Sequence, residues 1–201
     1  MKIGIFGGTF NPIHISHLYV AEKFVEQLGL DRMVLMPALI PPHKSDKHIA
    51  SAEDRLAMCR LAVKGLPPIF HVSDYEIRNP GATSYTYKTL CYIADKYPDS
   101  ELFLLMGGDM FLTVTDWRRA EEIYKMATLC VAQRETDEIS ALDMQKERLE
   151  IAGARCIFVD LEVHPLSSTL IRQMVKAGEN PADYLPPGVW DYINQKKLYR
   201  K

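Results

Sequence analysis

Short apolar segments alternate along the chain with longer segments in which apolar residues recur every three or four positions. We predict that the short segments, which are rich in β-branched residues, are six strands: Lys2–Gly7, Arg32–Pro37, Phe70–Ser73, Glu101–Gly107, Thr128–Gln133 and Arg155–Asp160. Their nearly continuous apolar character is typical of strands buried on both faces. The pattern therefore predicts a parallel sheet.

The longer segments have the periodicity of amphipathic helices. We predict helices at Leu18–Leu28, Ala52–Lys64, Tyr85–Lys96, Ala120–Met126 and Leu142–Ile151. Ser51 precedes an acidic first turn, and Ser168 and Asn180-Pro181 give similar helix-start signals. Strands alternating with helices predict an α/β fold, a doubly wound and mostly parallel sheet of six strands with helices on both faces.

The composition of the chain is that of an ordinary folded protein. Its 201 residues are 47% hydrophobic and 25% charged, and they contain no internal repeat or linker. We therefore expect a single domain over residues 1–201, with a short C-terminal helical tail at about 181–201. The longest apolar run is interrupted by Pro37, and the first residues lack the apolar stretch of a signal peptide. We expect a cytoplasmic protein without a membrane span.

The balance of charges limits the kinds of partner. Lys and Arg together number 24 against 26 Asp and Glu, so the chain has no cationic excess for nucleic acid or an anionic membrane. We expect neither partner, and any bound anion should be small. The four cysteines lie far apart in sequence, without the close pairing of a zinc site, so no protein metal site is predicted.

A glycine-rich segment directly follows the first strand and leads into the first helix. It reads Gly7-Gly8-Thr9-Phe10-Asn11-Pro12-Ile13-His14-Ile15-Ser16-His17. In a doubly wound sheet, ligands bind at the carboxyl ends of strands, where glycines allow close backbone approach and helix N-termini favour anions. The segment is neither Gly-x-Gly-x-x-Gly nor a Walker loop, so it predicts a phosphate site without dinucleotide redox chemistry.

His14 and His17 are the distinctive side chains of this segment. Their three-residue spacing places both on one face of a helix. A zinc pair or ordinary capping and core histidines would also explain them, although no third metal ligand is tied to them by spacing. Beside a glycine-rich turn, two imidazoles favour stabilisation of an anionic, phosphorus-centred transition state.

A second polar motif follows the last predicted strand. Ser167-Ser168-Thr169-Leu170-Ile171-Arg172 combines hydroxyl side chains at a helix start with a guanidinium one turn later. Such a set matches polyphosphate oxygens, although a plain Ser N-cap with a solvated Arg would look the same. The polar, proline-rich segment Pro37–Ala50 is predicted to be an active-site loop.

These motifs resemble a known family. The first is similar to the Gly-Gly-Thr-Phe-(Asp/Asn)-Pro-x-His-x-Gly-His signature of nucleotidyltransferases, with Ser16 in place of Gly, and the second to their Ser-Ser-Thr-x-Ile-Arg signature. Further motifs resemble the bacterial nicotinate-nucleotide adenylyltransferases: Pro41-Pro42-His43-Lys44, Ser84-Tyr85-Thr86, Gly108-Asp109-Met110, Trp117 and Tyr184-Leu185-Pro186. The resemblance runs nearly from end to end.

The resemblance implies transfer of AMP from ATP to nicotinate mononucleotide, with Mg²⁺ carried by ATP. It also implies a possible homo-oligomer, because members of the family often form dimers or higher oligomers. It implies that His14, His17 and Arg172 are catalytic. It places Gly7, Gly8, Thr9, Phe10, Ser168, Thr169 and Arg172 at ATP, and Lys44, Thr86, Asp109 and Trp117 at the mononucleotide.

Plainer roles remain for several of these residues. Lys44 also fits a solvated loop charge, Thr86 a helix cap and Trp117 a core aromatic residue. We expect Arg118 and Arg119 to face solvent, so that neutral donors read the nicotinate carboxylate. Two other functions stay open: adenylyl or cytidylyl transfer to another phosphate acceptor, and a nucleotide-binding regulatory module without turnover.

Overall fold

The fold is described from a computed structural model of the chain. The structure describes residues 1–39, 49–79, 85–133, 139–161 and 166–200.

A single parallel sheet of six strands lies at the centre of the fold, in the order β3-β2-β1-β4-β5-β6. The strands are β1 (Lys2–Gly8), β2 (Arg32–Pro37), β3 (Phe70–Val72), β4 (Glu101–Gly107), β5 (Ala127–Gln133) and β6 (Cys156–Asp160). The predicted strands are confirmed, with ends that differ by at most one residue. Apolar runs made them recognisable because both faces of the sheet are covered, most completely along β2, β4 and β5.

Nine helices are described around the sheet: α1 (Ile15–Leu28), α2 (Ala52–Val63), α3 (Tyr75–Arg78), α4 (Thr86–Lys96), α5 (Gly108–Leu112), α6 (Ala120–Met126), α7 (Ile139–Ile151), α8 (Ser168–Ala177) and α9 (Val189–Lys196). Two 3₁₀ turns lie at Val114–Asp116 and Ala182–Tyr184. The five predicted helices are confirmed, although α1 and α7 begin three residues earlier. Both α3 and α5 were missed because one turn carries no periodicity.

The cap of α8 corrects one helix-start prediction. Ser167, and not Ser168, is the N-cap, and its hydroxyl accepts a hydrogen bond from the Leu170 N–H. Ser51 caps α2 as predicted, with its hydroxyl accepting from the Asp54 N–H. The hydroxyl of Ser168 is therefore left for a different partner, which lies in the glycine-rich segment.

Helices cover both faces of the sheet, as the alternating pattern predicted. Along β2, Met33 and Leu35 pack in one apolar cluster with residues of α1, α2, α8 and α9. Val34 and Met36 point the other way and pack in a second cluster with residues of α4, α5, α6 and α7. Each cluster buries the apolar stripe of its helices against one face of the sheet.

The strand order determines where a ligand can bind. From β1 the chain crosses through α1 to β2 on one side, whereas β4 lies on the opposite side of β1. This reversal opens a crevice at the carboxyl ends of β1 and β4. Among the helices that the structure describes, none is long and apolar enough to cross a membrane.

Candidate active site

A cavity of about 940 Å³ occupies the crevice at the carboxyl ends of β1 and β4, and we call it the central cavity. One end is formed by the segment that follows β1, and the other by residues that follow β4 and by the start of α4. The lining includes six of the predicted site residues: Gly7, Gly8, Thr9, Thr86, Asp109 and Trp117. The structure thus brings together residues that are up to 110 positions apart, from 7 to 117.

The first end is the glycine loop, residues 7–12. A Cβ at Gly8 would lie 3.0 Å from the ring of Phe10, so a larger residue would displace that ring. Phe10 has a positive φ of 46° and is only 2% exposed, and its ring packs edge-on against Phe6 and His17. Its side chain therefore supports the loop from below, and any contact of Phe10 with ATP would come from its backbone.

The two histidines lie side by side where α1 begins. His14 is the N-cap, and its ring centroid lies 3.7 Å from that of His17. The His14 N–H donates to Nδ1 of His17 at 3.2 Å. Since Nδ1 accepts, the neutral His17 ring carries its proton on Nε2. The two rings lie together as expected, although His14 has an extended backbone and precedes the helix, and the contact fixes the tautomer in which Nε2 of His17 is a donor.

Residues of the second motif contact residues of the first that are 156 and 161 positions away in sequence. The Ser168 hydroxyl donates to the Pro12 carbonyl at 2.9 Å. Arg172 donates from Nη1 to the Asn11 carbonyl at 3.0 Å and from Nη2 to the Thr169 hydroxyl at 3.2 Å. The hydroxyls and guanidinium of α8 therefore stand at the edge of the glycine loop.

A buried arginine beneath the loop was missed by the sequence prediction. Arg55 is 1% exposed and donates to the carbonyls of Thr9 at 2.8 Å, Leu39 at 3.1 Å and Ala50 at 3.2 Å. Burial lowers the pKa of Arg55, but a guanidinium remains charged. A signal was present, because Arg55 falls on the apolar stripe of α2, three, four and seven residues before Met58, Cys59 and Ala62.

Asn11 ties the loop to two further segments. Its side-chain Oδ1 accepts from the Ala50 N–H at 3.0 Å and from the Tyr199 hydroxyl at 2.8 Å. Sequence reasoning gave neither Asn11 nor Tyr199 a role in the site. The glycine loop is therefore held by hydrogen bonds to α2, α8 and the C-terminal residues.

At the other end of the central cavity, short segments after β4 carry the polar groups. Asp109 lies in the first turn of α5, directly after β4. A Cβ at Gly107 would lie 2.9 Å from Oδ1 of Asp109, so this glycine lets the carboxylate approach the end of the strand. Thr86 is the first residue of α4, where backbone N–H groups lack helical partners.

Trp117 forms an aromatic wall of the cavity and is half-buried. Its indole Nε1 is buried and has no hydrogen-bond partner among the described residues. Arg118 and Arg119 are exposed as expected, yet Arg118 also lines the cavity, with its guanidinium 5.0 Å from the ring centroid of Tyr85. The sequence prediction missed this cation at the cavity rim.

A carboxylate also faces this end of the cavity. Glu76, on α3, accepts a hydrogen bond from the hydroxyl of Thr89, and both residues line the cavity. Sequence reasoning missed Glu76 because the single turn of α3 gave no pattern to place it.

Some predicted site residues do not line the central cavity, and one lies outside the residues that the structure describes. His14, His17, Ser168, Thr169 and Arg172 adjoin the glycine loop and do not line the central cavity itself. Lys44 lies outside the described residues, as do the other members of its Pro-Pro-His-Lys motif. Over the described ranges, no group of three or more His, Cys, Asp or Glu residues is arranged to hold a metal ion.

Comparison with known proteins places the chain in a family. The model of the cytidylyltransferase-like family matches residues 5–174. A protein of Clostridium acetobutylicum, named as a probable nicotinate-nucleotide adenylyltransferase, is 39% identical over 199 residues, covering 98% of each chain. A protein of the same name from Clostridium novyi is 36% identical over 200 residues, covering 99% of each.

The fold is also found in a solved structure. That of Plasmodium falciparum nicotinic acid mononucleotide adenylyltransferase complexed with NaAD has a TM-score of 0.79 at 18% identity, covering 98% of this chain and 97% of that one. The structural likeness establishes the shared fold, and the full-length sequence identity establishes the relationship. This chain belongs to the nicotinate-nucleotide adenylyltransferase family.

Proposed function

We propose that this protein transfers AMP from ATP to nicotinate mononucleotide, giving nicotinate adenine dinucleotide and pyrophosphate in NAD synthesis. The observation that carries the proposal is the central cavity, which joins the glycine loop at β1 to Thr86, Asp109 and Trp117. One continuous cavity with a phosphate-binding type of loop at one end and an aromatic wall at the other suits two nucleotides that react with each other.

The reaction makes modest chemical demands on the protein. An oxygen of the mononucleotide phosphate attacks the α-phosphorus of ATP, and the bond to the bridging oxygen of the β-phosphate breaks to release pyrophosphate. The second pKa of a phosphate monoester is about 6, so the nucleophile is largely dianionic at neutral pH and needs no general base. The protein must align the reactants and stabilise the negative charge.

Residues of the glycine loop, of the start of α1 and of α8 would stabilise the triphosphate. Nε2–H of His17 is held as a donor by the bond at Nδ1, and the His14 ring lies against it at a tilt of 33°. Arg172 stands against the loop through Asn11 and would grip the leaving phosphates. The backbone of Gly7, Gly8, Thr9 and Phe10, with Ser168 and Thr169, would complete the ATP site.

The other end would hold the mononucleotide. Trp117 would stack on the pyridine ring, Asp109 would accept from a ribose hydroxyl, and Thr86 with nearby backbone N–H groups would contact the carboxylate. We keep Lys44 as the proposed partner of the attacking phosphate on the strength of its motif.

We propose that Mg²⁺ enters with ATP. This ion keeps several water ligands and binds phosphate oxygens readily, so it suits a site in which the nucleotide supplies most of its ligands. Its chemistry would be the neutralisation of charge on the triphosphate. We also propose one catalytic domain, because α9 near the C-terminus packs in the same cluster as α1.

Product identification tests the proposed function. The purified protein is incubated with Mg²⁺, with ATP or CTP, and with nicotinate mononucleotide, nicotinamide mononucleotide or pantetheine phosphate. We expect nicotinate adenine dinucleotide and pyrophosphate in equal amounts from ATP. Faster product formation with another acceptor or with CTP would replace the proposal by a different nucleotidyl transfer, and ATP binding without any product would indicate a regulatory module.

A further inference from the structure

The residues after α9 turn back toward the core. Lys197 and Tyr199 both have positive φ, at 55° and 64°, and the Leu198 N–H donates to the Ile193 carbonyl at 3.0 Å. Positive φ is uncommon for side chains of this size. The turn carries Leu198 and Tyr199 onto the apolar cluster that also contains α1 and α8.

This turn brings the hydroxyl of Tyr199 to the glycine loop. It donates to Oδ1 of Asn11 at 2.8 Å, across 188 positions of sequence. Asn11 is buried, and its Oδ1 also accepts from the Ala50 N–H. Two donors from separate segments therefore orient one buried amide, and the carbonyl of the same residue accepts from Nη1 of Arg172.

The hydroxyl of Tyr199 is a donor at neutral pH. Burial raises the pKa of Tyr199, and the nearby guanidinium groups of Arg172 and Arg55 lower it by a smaller amount. The neutral phenol thus stands close to two cations and donates a hydrogen bond to Oδ1 of Asn11. Its ring packs against the core, so the hydroxyl can be removed without removing the packing.

We propose that Tyr199 is a positioning residue for the triphosphate end of the site, acting through Asn11 on Arg172. The Tyr199 hydroxyl holds the side-chain amide of Asn11, and the backbone carbonyl of Asn11 orients the Arg172 guanidinium. The guanidinium in turn would bind the phosphates of ATP. The C-terminal turn thereby helps to orient the Arg172 guanidinium, which the glycine loop alone would hold less firmly. The inference rests on the proposed function, in which Arg172 binds the phosphates.

The chain offers a matched control in Tyr192. Its hydroxyl donates to Oδ1 of Asp54 at 2.9 Å and joins α9 to α2. Both tyrosines lie in the last ten residues of the chain, and both make a long-range hydrogen bond to a side-chain oxygen. Tyr192→Phe removes such a bond without touching Asn11.

The test compares Tyr199→Phe with Tyr192→Phe in the full chain. We expect Tyr199→Phe to lower kcat/KM for ATP about fivefold to tenfold, the scale of one oriented hydrogen bond, while KM for nicotinate mononucleotide is unchanged. Tyr192→Phe should keep both constants. Thermal midpoints are measured for both. A Tyr199→Phe variant that loses only thermal stability, or that shifts both KM values equally, would show a purely structural role.

A double variant tests whether Tyr199 acts through the arginine. If it does, Tyr199→Phe combined with Arg172→Lys should lose little more ATP affinity than Arg172→Lys alone. Losses that multiply would overturn the proposal. ATP binding is measured directly by calorimetry. If the unsubstituted protein binds ATP but makes no dinucleotide, the proposed function fails while the binding comparison still decides this inference; if it binds no ATP, both fail.

Discussion

The two ends of the central cavity are built in different ways. At the glycine loop, polar groups are tied to distant parts of the chain, as in the bonds from Arg55 to Thr9 and from Tyr199 to Asn11. At the opposite end, Asp109 and Trp117 come from short segments after one strand. Around them lie aromatic rings, the guanidinium of Arg118 and the carboxylate of Glu76, with few hydrogen bonds between distant segments.

This difference matches the chemistry that we propose for each end. Charge changes at the triphosphate during the reaction, and donors that are fixed in advance need no reorganisation at that moment. The acceptor base keeps its charge and must only be recognised, for which an aromatic wall and a few donors suffice. Substitutions at the loop should therefore affect folding or turnover, and those at the wall should affect the choice of acceptor.

The largest effect is expected from Arg55→Met. The change keeps an unbranched apolar stem but leaves the carbonyls of Thr9, Leu39 and Ala50 without their donor. We expect a loss of about 3 kcal/mol in the free energy of unfolding, measured by urea denaturation. Arg60→Met is the control on the same helix, because Arg60 makes an exposed ion pair with Asp74 and should cost under about 1 kcal/mol. Equal losses in both variants would contradict the role of Arg55.

The next largest effect is expected from His17→Ala. If Nε2 of His17 donates to the reacting phosphate as we propose, its removal should lower kcat by about 10² or more, with little change in thermal midpoint. His14→Ala should act in the same direction, because it removes the ring that packs against His17. His71, on β3, is the control, and His71→Ala should leave kcat within about twofold. A change confined to KM would place His17 in binding and not in the transition state.

Arg172→Lys is expected to have a smaller effect. The lysine keeps the charge but cannot reproduce two parallel donors, so its contacts with Asn11 and Thr169 are not both retained. We expect kcat/KM for ATP to fall about tenfold to thirtyfold, measured at fixed mononucleotide concentration. Arg118→Lys, at the other end of the cavity, should leave kcat/KM for ATP nearly unchanged. ATP turnover close to that of the unsubstituted protein in Arg172→Lys would argue against a phosphate contact.

The same contrast explains what the sequence could predict. Gly7, Gly8 and Asp109 were predictable because the glycines end one buried strand and Asp109 follows another, and the carboxyl ends of parallel strands meet at one edge. Ser168 and Arg172 were predictable as a helix-start motif after the last strand. These features depend on local sequence and on the layer architecture, which hydrophobic patterns determine.

The supporting residues were not predictable in the same way. Arg55 donates only to backbone carbonyls, and any residue supplies a carbonyl, so no partner residue type reveals the contact. Tyr199 reaches Asn11 because Lys197 and Tyr199 itself adopt positive φ, which these residue types do not predict. Arg118 was expected to face solvent, and only the three-dimensional fold shows that it also borders the cavity.

The smallest effect concerns the choice between acid and amide forms of the acceptor. A carboxylate accepts hydrogen bonds at both oxygens, whereas a carboxamide presents an NH₂ that leaves a donor of the site unpaired, at about 1–3 kcal/mol, or roughly 5- to 150-fold. Nicotinate mononucleotide should therefore have the higher kcat/KM. If Thr86 binds the carboxylate, Thr86→Val should reduce the ratio of kcat/KM for the acid form to that for the amide form severalfold.

The exposed Arg118 at the cavity rim is the alternative residue that could bind the carboxylate. Two further variants distinguish it from Thr86. Thr113→Val makes the same change from hydroxyl to methyl at a residue that also lines the cavity, but its hydroxyl donates to carbonyls of its own helix, Asp109 and Met110. It should keep the ratio of the two kcat/KM values. Arg118→Met should keep the ratio if neutral donors read the carboxylate. A ratio that falls in Arg118→Met and stays constant in Thr86→Val would transfer carboxylate recognition from the start of α4 to the guanidinium at the rim.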